Sequence, residues 1–238
     1  MKIIYKLLLA AAPVLLVAAC GGGDDSLDDR LGLADPKVRF VHAIPAGPNA
    51  DLYRNAEPVG GVTNTAYKFA SRYFDVDGSA ADYIVRTTTG NVEIGRYNFN
   101  PSRGHKYTLI AVPGDATAPN LLFVDDPYNK SLTSSNGRVR VVNASFNAMN
   151  VDVYLTEPTV NIATVGPNFA SAAFKTAVPL SGSNSNDFSS GPHTLRVTTA
   201  GTKNVIFTAP LEVQKNADLL LLTLPNSVAP NDVKILLV

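Results

Sequence analysis

The sequence predicts an all-β protein: two tandem immunoglobulin-like antiparallel β-sandwich domains placed after a cleaved lipoprotein signal peptide. Three observations predict it. After residue 36 the chain breaks into short runs rich in Val, Ile, Leu, Thr, Tyr and Phe, separated by clusters of Gly, Pro, Asn and Asp. No stretch of that region sustains the apolar period of 3.6 that marks an amphipathic helix. The region also repeats itself: Val38–Tyr53 matches Val139–Tyr154 without a gap, and Tyr83–Gly90 matches Thr194–Gly201 further on.

The leader comes first in the chain. Met1 to Lys6 carries Lys2 and Lys6 and no acid, and Leu7 to Val17 is an almost unbroken apolar run. A run this short does not reach the roughly 20 apolar residues that span a bilayer, so residues 1–19 read as a secretion signal. Val17-Ala18-Ala19-Cys20 resembles the lipobox of bacterial lipoproteins. That resemblance implies diacylglycerol on the Cys20 thiol, cleavage before Cys20 and acylation (palmitate-like) of the new amino group. The covalent lipid on Cys20 is then the only cofactor expected, and a membrane is the first partner. Several acyl chains, at about 0.8 kcal/mol per buried methylene, hold a protein far more firmly than one. Gly21 stands where inner-membrane retention resembles an Asp after the Cys, which implies the outer membrane of the cell envelope.

Cys20 is the one cysteine, so no disulfide forms within the chain, and stability must come from apolar burial. Losing Lys2 and Lys6 takes a neutral precursor to a net charge near −2, which gives nucleic acid no clustered basic surface. Residues 20–36, opening with Gly21-Gly22-Gly23 and carrying Asp24, Asp25, Asp28 and Asp29, read as a flexible acidic tether. Its 16 residues after Cys20 give a root-mean-square reach of roughly 20–24 Å.

The repeat then sets the domains at 37–126 and 138–238, with a polar linker at 127–137 that is rich in turn formers. The first unit gives strand runs near 38–43, 50–54, 66–75, 82–88, 92–99, 106–112 and 120–125. The second gives them near 138–144, 151–156, 171–179, 193–199, 203–209, 218–224 and 233–238, with a weaker run at 159–165. About seven short strands in about 95 residues suit an immunoglobulin-like sandwich.

Val-Arg-Phe-Val-His-Ala at 38–43, Ala-Asp-Leu-Tyr at 50–53, and their copies at 139–144 and 151–154 resemble the opening strands of the DUF4397 family. Asp82–Thr89 and Lys106–Val112 are similar to its later strands. The resemblance implies a bacterial exported protein, often built of tandem domains, with no assigned activity. Ile44-Pro45-Ala46 is close to the family's usual Ser-Pro-Asp, and Ser145-Phe146-Asn147 departs from it.

Candidate sites are few. His42, His105 and His193 are the only histidines, and none has the close His neighbour that metal sites use. His42 is replaced by Asn143 in the internal copy, and an amide is no general base. Asp75, Asp77 and Asp82 around Gly78 fail the calcium-loop spacing, because Tyr73 and Ile84 occupy its first and last ligand positions. No catalytic residue and no metal ligand is therefore assigned. Tyr67, Phe69 and Tyr73 form a candidate ligand face, since alternation along a strand would set them on one side, where rings could stack on sugars. Asp51 and Tyr53 recur as Asp152 and Tyr154. The pair reads as framework: each Asp accepts hydrogen bonds from turn amides or from the neighbouring Arg39 or Arg140 strand, while Leu52 and Val153 point into the cores.

The function expected is that of a membrane-anchored envelope lipoprotein, not an enzyme, with a binding or scaffolding role toward an envelope protein or polysaccharide. A glycan- or polymer-binding module is the alternative, and a hydrolase comes third.

Overall fold

The computed structural model describes residues 16–17, 27–114, 120–128 and 130–238; the expected cleavage site and Cys20 lie outside the described residues. The chain contributes β1 (Leu16–Val17), within the stretch read as a leader, and a single helical turn, α1 (Leu27–Arg30). Eight strands follow up to residue 127: β2 (Lys37–His42), β3 (Ala50–Arg54), β4 (Glu57–Pro58), β5 (Phe74–Asp75), β6 (Ala81–Thr87), β7 (Glu93–Phe99), β8 (His105–Ala111) and β9 (Leu121–Pro127). They form two sheets, ordered β5-β2-β8-β9 and β4-β3-β6-β7.

The rest of the chain repeats this plan. Its strands are β10 (Gly137–Asn143), β11 (Val151–Thr156), β12 (Phe169–Ala172), β13 (Thr176–Val178), β14 (Asn186–Phe188), β15 (Gly191–Thr199), β16 (Val205–Val213), β17 (Asp218–Pro225) and β18 (Val233–Leu237). One sheet runs β12-β11-β15-β16 and the other β1-β18-β17-β10-β13, with β14 also paired to β10. β10 to β12 and β15 to β18 take the places of β2 to β4 and β6 to β9, β13 and β14 together take that of β5, and β1 is an added edge strand.

Most pairings are antiparallel; β2 with β8 in the first sandwich and β10 with β17 in the second are parallel, as is the short β1 with β18. The expectation of purely antiparallel sheets is corrected there. Between β2 and β8 the chain visits the opposite sheet twice and touches the other edge of β2 at β5, and so long a crossover allows the parallel arrangement that a tight hairpin forbids.

Three expected runs also differ. Residues 66–73 are not a strand: Lys68 adopts φ 74°, which breaks the ladder, and the segment touches β2 through an isolated bridge between Val41 and Ala70. The run 171–179 is split into β12 and β13 around Lys175 at φ 63°. The weaker run at 159–165 holds a short 3-10 turn at Ile162–Thr164, capped by the Asn161 side chain.

Alternation along the strands assigns three apolar layers. Val38 and Phe40 of β2 and Tyr107 and Leu109 of β8 face Leu52, Tyr83 and Val85 in the first sandwich. Val139, Val141 and Leu221 face Val153, Leu195 and Val197 in the second. The remaining residues of the same strands point the other way and meet each other: Val41, Ala43, Ile110 and Val112 pack with Val142, Ala144, Leu220, Leu222 and Leu236. The four sheets therefore stack as layers around three cores, and the middle core joins the two sandwiches. Each fully buried strand of the two central sheets carries apolar side chains on both faces, the pattern expected where both faces are covered.

Residues 27–36 are docked on the body, which corrects the expectation of a free tether for that stretch. The Arg30 guanidinium donates to the carbonyls of Ser131, Leu132 and Ser134 and to Asn216 Oδ1 at 2.7–3.0 Å. Lys37 pairs with Asp29 at 3.4 Å. Gly104, at φ 72°, lies so close to Gly32 that a Cβ there would sit 2.6 Å from the Gly32 Cα, a clash only glycine avoids.

Candidate functional site

The recurring acids occupy equivalent nodes. Asp51 Oδ1 accepts from the Asn64 amide at 2.5 Å and the Thr88 hydroxyl at 2.7 Å. Asp152 uses both oxygens, accepting from the Ser171 amide at 2.7 Å and the Gly201 amide at 2.8 Å. Each carboxylate thus stitches the loop after its strand to a hairpin. The donors are turn groups and not Arg39 or Arg140, whose strand positions face the seam between the sandwiches. Leu52 and Val153 lie in the two cores. Tyr53 and Tyr154 lie beneath cations, with Arg86 5.4 Å from the Tyr53 ring and Lys203 4.7 Å from the Tyr154 ring.

The structure does not bring Tyr67, Phe69 and Tyr73 together on one face. Because residues 66–73 turn instead of extending, their rings go to three places. Tyr67 packs against the middle core and donates to the Pro225 carbonyl at 3.2 Å, and burial pushes its phenol up to about 12, so it stays a donor. Phe69 packs against the core of the first sandwich. Tyr73 lies under the Arg39 guanidinium at 4.6 Å.

A different aromatic cluster closes the open edge between β7 and β9. Tyr97 stacks on Phe123 with centroids 4.2 Å apart and planes at 9°, and Phe99 contacts Tyr83, Tyr107 and Phe123 at 4.7–4.9 Å for Tyr83, Phe123 and Tyr107 alike. Tyr97 is 37 % exposed and leaves one ring face to solvent. The alternation of β7, with Tyr97 and Phe99 two residues apart, was the signal for it.

The histidines divide. His42 is fully buried, and desolvation lowers its pKa, so it stays neutral. Its copy Asn143 shows what the position favours: the amide donates to the Ala172 carbonyl at 3.0 Å and accepts from the Ser145 amide and the Thr223 hydroxyl. His105 Nδ1 lies 2.7 Å from Asp125 Oδ1. Ser181 Oγ of the second sandwich accepts from the Asp125 amide at 2.9 Å, which ties that hydroxyl to backbone. His193 Nδ1 lies 2.9 Å from the Gly191 carbonyl in its own hairpin. Asp77 is held by Arg54 at 2.8 Å and by Ser79, and these bonds keep its carboxyl well below the usual range. Asp82 is taken by Arg96 and Asn98, so the acids around Gly78 serve separate partners. Among the described residues no group of three or more His, Cys, Asp or Glu is gathered as a metal site.

The strongest polar constellation sits where the sandwiches meet. Asp126, at the end of β9, accepts from Arg138 Nη2 at 2.9 Å, Arg140 Nη2 at 3.0 Å and Ser185 Oγ at 2.9 Å. Arg138 is 2 % exposed and Arg140 0 %. Arg140 also donates to the carbonyls of Pro179, Leu180 and Ser183. Beside them Lys106 pairs with Asp218 at 2.5 Å; burial opposes its charge, the Asp218 carboxylate more than offsets this, and the ammonium pKa stands above its ordinary value. Arg39, the counterpart of Arg140, donates to Thr108 at 2.9 Å within its own sandwich. The repeated strand therefore sends Arg39, Val41 and Ala43, and their copies Arg140, Val142 and Ala144, to the seam.

At the far end of the second sandwich, two loops are bound to each other. The Asn147 amide donates to the carbonyls of Ser227 and Ala229, and the Asn231 amide donates to the Asn147 carbonyl at 3.0 Å. Asp232 fixes the second loop through Ser227 and Asn226, which lower its pKa. On this fixed base Phe146 is 46 %, Met149 74 % and Val228 88 % exposed.

Paired sheets, shared strand order and a common seam define a double β-sandwich protein whose halves are variants of one unit. A family model described as a domain of unknown function, DUF4397, matches residues 36–154, half of the chain, and the chain belongs to that family. The match covers the first sandwich, passes through β10 and ends within β11 of the second. No curated protein matches the chain.

Proposed function

We propose that this protein is an outer-membrane lipoprotein of the cell envelope, held by acyl chains on Cys20, whose joined sandwiches serve a non-catalytic binding or scaffolding role. The observation that carries the reading is the seam: a continuous apolar core and the Asp126–Arg138–Arg140 node join the two units into one body. Such a body suits an anchored presenter. Its N-terminal segment is docked near Asn216, and the apolar tip of Phe146, Met149 and Val228 lies beyond the other end of β17, where an envelope protein partner would meet it. Apolar side chains fixed on a hydrogen-bonded base lose little entropy on binding, which favours them as contact points.

The test has two arms. Cys20→Ser is expected to abolish acyl labelling and to move the protein out of the membrane fraction; unchanged labelling and fractionation would contradict the anchor. Met149→Asp is expected to abolish capture of the partner in envelope cross-linking while leaving the protein folded, and unchanged cross-links would contradict the tip. A second reading is favoured by Tyr97, whose exposed ring backed by Phe123 offers a stacking platform for a sugar. Saturable binding of envelope polysaccharide that is lost in Tyr97→Ala would select it.

A further inference from the structure

We propose that the N-terminal pole of the second sandwich rests on the lipid bilayer, with Leu27, Leu31, Leu33 and Leu132 inserted among the acyl chains. This rests on the reading of Cys20 as the lipid-bearing residue. The four leucines are 72 %, 55 %, 56 % and 54 % exposed, and they come from two segments that the Arg30 guanidinium binds together. Leu27 and Leu31 stand four residues apart, so they share one side of the helical turn. Single exposed leucines are ordinary on a soluble surface, whereas a cluster marks a contact.

The length of chain between Cys20 and this cluster selects the occupant. Leu27 stands seven positions after Cys20, a reach of at most about 23–25 Å when fully extended and about 13–16 Å on average. Docking of residues 27–36 removes the rest of the slack. An anchor at Cys20 therefore brings the leucines to the membrane surface. The apolar tip at Phe146, Met149 and Val228 is farther away by the length of β17, about 23 Å for its eight residues. Two of the acids at the pole are locally compensated, Asp29 by Lys37 and Asp35 by Arg103, and Asp28 is exposed beside Leu27, so a zwitterionic lipid surface is the one the patch suits best. With the leucines inserted, β17 runs away from the membrane and the tip faces outward.

The chain has no Trp, so a single introduced Trp is a clean depth probe. Leu31→Trp and, as the control at the opposite pole, Val228→Trp are purified from membranes and reconstituted into phosphatidylcholine vesicles with brominated acyl chains. A parallel sample, produced as residues 20–238 without the leader so that Cys20 stays unacylated, is coupled to a maleimide phospholipid through the Cys20 thiol, the only thiol in the chain. This sample decides the pole contact even if cells do not acylate Cys20, so failure of the anchor and failure of the contact are read separately. The expected result is a blue-shifted Leu31→Trp emission quenched several-fold more than Val228→Trp. Adding Leu27→Ser, Leu33→Ser and Leu132→Ser is expected to remove the excess quenching while the protein still floats with the vesicles. Equal quenching of the two probes, or quenching that persists in the serine variant, would overturn the proposal.

Discussion

Removing the Asp126 carboxylate isolates the contribution of the seam. Asp126→Ala leaves two guanidiniums that are 2 % and 0 % exposed without their shared anion. Breaking a buried ion pair from one side costs about 3–5 kcal/mol, because the stranded charge stays desolvated. Arg140 keeps three carbonyl acceptors, and Arg138 keeps the Pro127 carbonyl and Asp218 at 4.0 Å, which sets the expectation at the lower end, about 3 kcal/mol. Asp126→Asn retains an acceptor and loses the charge, so about 1–2 kcal/mol is expected. Replacing the whole node by apolar residues, with Asp126→Leu, Arg138→Met and Arg140→Met, removes the desolvation cost together with the attraction and is expected to be near neutral. Urea unfolding followed by tyrosine fluorescence measures all three. A loss below about 0.5 kcal/mol for Asp126→Ala, or a triple variant less stable than the single one, would refute the reasoning.

Further expectations concern the repeated positions. Asp51→Ala and Asp152→Ala are each expected to lose about 1–3 kcal/mol in urea melts, with the larger loss for Asp152, which is 5 % exposed and accepts from two backbone amides; equal losses, or a larger one for Asp51, would contradict the assignment. Burial holds the His42 pKa below its ordinary value near 6.5, so the unfolded chain takes up that proton first. The neutral imidazole's contribution is fully present above about pH 6.5 and is lost as pH falls toward the lowered folded value, by up to about 1.4 kcal/mol per pH unit. His42→Asn, which copies Asn143, is expected to flatten that part of the stability profile between pH 7 and pH 5, and an unchanged profile would show that His42 does not titrate with unfolding.

Much of this architecture was legible in the residues. The alternation in Val38–Ala43 and Val139–Ala144 places Val38, Phe40, Val139 and Val141 in the two cores, where the structure has them. The recurring Asp was readable as framework because it returns without a repeated His, Cys or second acid beside it. The seam was not read, although its signal was present: Leu219 to Leu222 is apolar at every position, which a sheet with one wet face would not tolerate. Tyr67, Phe69 and Tyr73 misled because alternation presumes an extended backbone. The left-handed Lys68 between them is a local choice that side-chain hydrophobicity does not reveal. Residues 27–36 read as tether from their charge, and what docks them is the long-range reach of Arg30 to a linker about a hundred residues away.

The claim on which the rest depends is that the two sandwiches act as one body through the middle core. Tyrosine content allows a direct test, since six of the nine tyrosines lie within 37–126 and only Tyr154 lies within 138–238. Tyrosine fluorescence therefore follows mainly the first sandwich, while far-UV circular dichroism follows both. In urea titrations of the whole chain the two probes are predicted to give one coincident transition. Separate midpoints, with part of the dichroism surviving after the tyrosine signal has gone, would contradict the account.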